Sequence, residues 1–318
     1  MSKHRRLFWF GRKAEVEPDE ATRAPLDAAA IVRQARRLRF RVKPGAVADL
    51  SGAYLGARPG TGLTFAELRA YEPGDDVRHL DWNVTARQGK PYVRRFVEER
   101  ALTLWLIVDV SASLRFGPEG RTKADRAAQA AALLAAAAIR NGDRAGLALV
   151  SDRVEAEVEP GGGARHLARL LRALVATPAT SRRTCLSVGL GRLRRSARRG
   201  LIVALSDFLT PEPVGHWRRA ARRHEVVAIR LVDPREDKLP DAGLIDLEDA
   251  EQGTRQAVDA GSRRLREAYA EAARQRRSAF RSWSSDVGLT GFEISTADDP
   301  LGPLLRFFRG RAARRGVL

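Results

Sequence analysis

The chain has 318 residues, a formal net charge of +18 and a single cysteine, Cys185. One cysteine excludes an internal disulfide and a thiolate metal cluster, and it fits a reducing cytosol. No stretch reaches the roughly 18 uncharged residues of a membrane span, so the expectation is a cytoplasmic protein, peripheral to a membrane at most, with one large domain or two modest ones.

Residues 1–25 mix Arg, Glu, Asp and Pro without apolar periodicity, which predicts a disordered tail. Residues 26–100 form an N-terminal segment. Ile31, Ala35, Leu38 and Phe40 suggest a short helix ending before Pro44, and a Gly-rich stretch follows at 56–63. Tyr92 to Val97 alternates apolar and charged residues, as a half-exposed strand does.

From residue 101 onward, strands and helices alternate. Short apolar runs at 104–108, 145–150, 201–205 and 226–232 read as buried strands. Helices are expected at 123–140, 164–175, 214–224, 261–284 and 301–309, with a hairpin partner at 154–158 and a last strand at 292–295. This rhythm predicts an α/β fold with a doubly wound, mostly parallel sheet, the N-terminal segment packed on it.

The most informative stretch is Leu104 to Ser113, where an apolar run breaks into Asp109-x-Ser111-x-Ser113. A carboxylate and two hydroxyls then stand at the C-terminal end of a strand, where open α/β sheets bind ligands. Thr184, just before a helix, and Asp207, just after the buried strand 201–205, add two more oxygens at that edge. Hard divalent cations, magnesium first, take such a set. Each piece alone also reads as a helix cap or turn residue.

Asp109, Ser111, Ser113, Thr184 and Asp207 in this order resemble the metal-ion-dependent adhesion site of von Willebrand factor A domains. The resemblance implies direct hydroxyl ligands, two aspartates near the ion, and an open position for a partner's carboxylate. Phe208 stands where that family usually has glycine. A longer match runs from Thr61 to Arg69 and from Tyr71 to Trp82, and continues through Ala86-Arg87 and Arg94 to Glu99. It is similar to the signature of the bacterial domain-of-unknown-function family fifty-eight. That resemblance implies a von Willebrand factor A-like domain working with a MoxR-type AAA+ ATPase. Within the signature, Asp75, Asp76 and Asp81 lie near Arg69, Arg78 and Arg87, which predicts a salt-bridge network. Tyr71 and Trp82 are expected to anchor it. A docking surface for the ATPase is the other reading of the same loop.

No P-loop, nucleophile elbow or histidine ligand spacing is present, so no hydrolase site is expected. The expected function is a non-enzymatic, metal-dependent protein-binding adaptor that takes an acidic residue of a client. The arginines are spread over many helices, which argues against specific nucleic-acid binding. The alternative is a metal-free scaffold whose basic surface binds acidic protein, anionic lipid or nucleic acid.

Overall fold

The computed structural model describes residues 8–9, 26–38, 63–73, 75–98, 102–118, 120–177, 181–193, 199–210 and 212–313. In chain order the elements are β1 (Phe8–Trp9), α1 (Ala28–Ala35), β2 (Leu63–Ala70), α2 (Trp82–Gln88), β3 (Tyr92–Glu98), β4 (Thr103–Asp109) and α3 (Lys123–Arg140). They continue as β5 (Arg144–Val150), β6 (Val154–Gly161), α4 (Ala164–Ala176), α5 (Ser187–Leu193), β7 (Leu201–Ser206), α6 (Val214–Arg223) and β8 (Glu225–Val232). The last are β9 (Leu244–Glu248), β10 (Arg255–Asp259), α7 (Arg263–Asp286), β11 (Thr290–Ser295) and α8 (Leu301–Ala313).

These elements fall into two compact units, Met1–Val42 with Leu102–Leu318, and Lys43–Ala101. The larger unit is built on a six-stranded sheet in the order β11-β8-β7-β4-β5-β6. Every neighbouring pair is parallel except β5 with β6. The architecture is therefore the doubly wound, mostly parallel α/β sheet that the strand–helix rhythm predicts. Successive crossovers run one way from β4 to β6 and the other way from β7 to β11. The winding reverses between β4 and β7, which makes the end of that pair the topological switch point.

Alternation along the strands covers both faces of the sheet. Leu104, Leu106 and Val108 bury against one side with α3, while Trp105 and Ile107 bury against the other beside Leu186 and Trp217. Helix α3 is rich in alanine and mostly buried, so its backbone lies close to β4 and to α1. Thr122 starts it with a reciprocal cap: Asp125 N donates to Thr122 Oγ1 (3.1 Å) and Thr122 N to Asp125 Oδ2 (2.8 Å). This cap fixes the position of Lys123, the first helical residue.

Helix α1 belongs to this unit and not with the signature segment expected at 26–100. Ile31, Ala35 and Leu38 are buried in the core that includes α3, and Arg140 Nη1 donates to Arg36 O (3.1 Å). The tail expected at 1–25 lies outside the described residues except Phe8–Trp9, which pair antiparallel with β9.

In the smaller unit β2 and β3 pair antiparallel, with a register shift between Phe65 and Glu67. Part of the expected charge network is on view among the described residues. Arg69 pairs with Asp75 (2.6 Å) and Glu72 (3.2 Å). Asp76 instead accepts from Arg78 N (2.9 Å), and Asp81 accepts from Asn83 N and Val84 N (3.1 and 3.2 Å). Both aspartates cap turns, through backbone donors two or three residues away. No ion pair of Arg78 or Arg87 is found among the described residues. Tyr71 is half-buried, but Trp82 is 70% exposed and anchors no apolar core. Gly74 of the same loop lies outside the described residues.

The buried Asp81 cap has a measurable consequence. Asp81→Ala is expected to cost about 1 kcal/mol and to speed amide exchange across α2. Unchanged exchange there would show that the cap does not hold the helix.

Candidate cation site

The site lies at the switch point, within the larger unit. Strand β4 ends at Asp109, and Val110 N still donates to Val150 O of β5 (2.9 Å). The chain then turns through Ser111 into a short 3₁₀ turn at Ala112–Arg115. Asp109 Oδ1 accepts from Ser111 N (2.8 Å), and Oδ2 accepts from Ser206 Oγ at the end of β7 (2.6 Å). Asp109, Ser111 and Ser113 have no exposed surface.

Thr184 arrives from the loop before α5. Cys185 N donates to Ser151 O (2.8 Å), and Ala112 N donates to Arg182 O (3.3 Å), so the loop is laced to the strand ends. Buried Glu212 takes Leu186 N and Ser187 N (2.8 and 3.1 Å), which fixes the start of α5. Thr184 Oγ1 is thereby held 2.7 Å from Ser111 Oγ, and Ser111 Oγ is 3.2 Å from Ser113 Oγ. Four of the five predicted residues thus join through hydrogen bonds.

Asp207, the fifth, follows β7 and is also buried. Its Oδ2 accepts from Lys123 Nζ (2.8 Å), and the same ammonium reaches Glu236 Oε1 (2.7 Å). Burial alone would lower the Lys123 pKa, but Asp207 and Glu236 together hold it above its ordinary value. Burial, and then the Asp207 charge, push the Asp109 carboxyl up to about 7, against hydrogen bonds from Ser206 and Ser111. Asp109 and Asp207 are therefore close enough to repel.

Sequence reasoning missed Lys123, Ser206, Glu236 and Glu251. Glu251 Oε1 lies 3.0 Å from Thr184 Oγ1 and 3.3 Å from Thr210 Oγ1. Lys123 was the most findable of these, as a lysine opening an otherwise alanine-rich helix directly after the strand-end cluster. The Phe208 departure also has a structural counterpart. Phe208 has φ of 49°, the only positive value among described residues other than glycine, in a region that costs a bulky side chain strain. Its ring packs on Phe280 and Trp283 (centroids 5.1 and 5.4 Å), which offsets that cost.

The donor set suits a hard cation. The two hydroxyl separations bracket the edge of about 2.9 Å between adjacent oxygens on an octahedral ion with bonds of 2.0–2.1 Å. Asp109 and Asp207 add negative charge beside these hydroxyls, with Lys123 as a counter-charge on Asp207. Among the described residues no three His, Cys, Asp or Glu side chains gather as a metal group; the hydroxyls make up this set instead.

Residues 67–279 match the family model described as "Protein of unknown function DUF58". This chain belongs to that family. Uncharacterized proteins of Mycobacterium bovis and of Mycobacterium tuberculosis are each 37% identical to this DUF58 chain over 314 residues, covering 96% of both partners. Among solved structures, BatB of Bacteroides thetaiotaomicron is 12% identical with a TM-score of 0.41, over 67% of this chain and 100% of that one. The SpRpn10 VWA domain is 10% identical with a TM-score of 0.35, over 65% of this chain and 95% of that one. No helix among the described residues of the DUF58 chain is long and apolar enough to cross a membrane.

Proposed function

We propose that this chain is a non-catalytic, cytoplasmic, divalent-cation-dependent protein-binding adaptor. Asp109, Ser111, Ser113, Thr184 and Asp207 would hold the ion, magnesium by preference, and the ion would take a carboxylate of a client protein. The observation that carries this reading is the chain of three buried hydroxyls at the switch point, flanked by two buried carboxylates. A cation held by neutral hydroxyls and two carboxylates keeps positive charge for a further acidic ligand. A MoxR-type AAA+ ATPase as the working partner follows from the resemblance of the signature in residues 61–99.

Lys123 favours a second reading, the metal-free scaffold, because its ammonium already supplies Asp207 with a counter-charge. Calorimetric titration with magnesium separates the two. Wild type is expected to bind one ion. Thr184→Val keeps the shape and removes one oxygen, so it is expected to bind magnesium about 10- to 100-fold more weakly, on the order of 1.5–3 kcal/mol, with a smaller loss of folding stability. Absence of a magnesium isotherm in wild type, together with partner binding that survives excess EDTA, would establish the scaffold reading.

A further inference from the structure

Strands β9 and β10 form an antiparallel hairpin whose turn is fully determined. Asp249 is buried, and its Oδ1 accepts from Glu251 N and Gln252 N (2.9 and 3.0 Å). Gly253 closes the turn with φ of 70° and donates to Asp249 O (2.7 Å). The turn is then clamped to the loop that carries Thr184. Arg182 Nε donates to Ala250 O (2.8 Å), and Arg182 Nη2 pairs with Glu248 Oε1 (3.0 Å). A built turn and a guanidinium clamp together set the carboxylate of Glu251 against the Thr184 hydroxyl.

Thr184 and Thr210 both offer hydroxyl donors to Glu251 Oε1. Thr184 Oγ1 also lies 2.7 Å from Ser111 Oγ, which lies 3.2 Å from Ser113 Oγ. The hydroxyl cluster of the site is therefore continuous with Glu251. The separation of 3.0 Å between Glu251 Oε1 and Thr184 Oγ1 also suits two adjacent ligands on one ion. Asp109 and Asp207 come from strand ends of the sheet, whereas Glu251 comes from a hairpin outside it. Glu251 thus approaches the hydroxyls from an element other than those that carry Asp109 and Asp207.

We infer that Glu251 is a built-in carboxylate ligand of the candidate cation, occupying the position that a partner's acidic side chain would take. The inference rests on the cation reading above and adds a condition to it. The partner's carboxylate displaces Glu251, and the β9–β10 turn moves aside when it does. The clamp allows this, since Arg182 is half exposed and holds the turn through two polar contacts.

The full chain, wild type and Glu251→Gln, is titrated with magnesium while amide exchange is followed across residues 249–253. Gln keeps the hydrogen bonds from Thr184 and Thr210, so this variant is expected to melt with wild type. Magnesium is expected to slow exchange of the turn in wild type only, and Glu251→Gln is expected to bind it about tenfold more weakly. With manganese as probe, Glu251→Ala should show faster water-proton relaxation than wild type, because a water replaces the carboxylate. Excess acetate should reverse that gain in Glu251→Ala and leave wild type unchanged. Equal magnesium affinity and equal protection of the turn in wild type and Glu251→Gln would overturn the internal ligand while leaving the cation site standing. A wild type that binds neither ion would overturn the cation reading itself.

Discussion

Lys123→Met is expected to be the most destabilising single change in this protein, at about 3–5 kcal/mol. The Lys123 ammonium has no exposed surface and bridges Asp207 and Glu236 at 2.8 and 2.7 Å. Methionine fills nearly the same space but takes away the ammonium that bridges buried Asp207 and part-buried Glu236. Removing one partner of a buried ion pair costs more than the pair contributes, because the remaining charge stays desolvated. For a unit of this size the melting temperature should fall by about 10 °C or more. Magnesium makes the experiment decisive. If a divalent ion binds beside Asp207, added magnesium should restore much of the lost stability in Lys123→Met, and restore more than it adds to wild type. Equal magnesium shifts in the two proteins would mean that the ion and the ammonium serve separate places. A melting point within the error of wild type would show that Asp207 and Glu236 do not depend on Lys123.

The parts of this arrangement that were legible beforehand share one physical trait, which is local patterning. β4 and β7 are buried on both faces, so they read as unbroken apolar runs, and the polar residues at their ends are conspicuous. Helix α3 reads from its run of alanines. β2 did not read as a strand, because the shift between Phe65 and Glu67 breaks the alternation that marks one. β9 and β10 are short and largely exposed, so neither carries an apolar run. The buried charges were the hardest to foresee. Lys123 meets Asp207 and Glu236 across 84 and 113 residues, and Glu251 meets Thr184 across 67. Nothing local distinguishes such a glutamate from the many that form solvated surface. The signature loop was legible in part. Mixed charge at short spacing suggests ion pairs, and Arg69 pairs with Asp75, but that spacing does not show that Asp76 and Asp81 also cap turns through backbone donors.

Asp109→Asn is expected to stabilise the ion-free protein while removing its response to magnesium. The carboxyl titrates at 3.8 in the ordinary case and near 7 in the folded chain. Between those values the folded state keeps a proton that the unfolded state has lost. Stability therefore falls as pH rises from about 4 to 7, and the whole penalty is present above 7. Asparagine carries no charge to desolvate. Its oxygen can accept from Ser111 N, and its amide can donate to Ser206 Oγ, so both hydrogen bonds of the carboxylate have replacements. The gain at pH 8 should be on the order of 2–4 kcal/mol, and it should vanish near pH 4. Magnesium should raise the melting temperature of wild type and not of Asp109→Asn. Below pH 7 the ion must also displace the proton on Asp109, so its binding to wild type should weaken as pH falls and release protons measurable as buffer-dependent heats. A less stable Asp109→Asn at pH 8 would mean that the ionised carboxylate is already well compensated without an ion. Magnesium protection that survives the substitution would place the cation away from the end of β4.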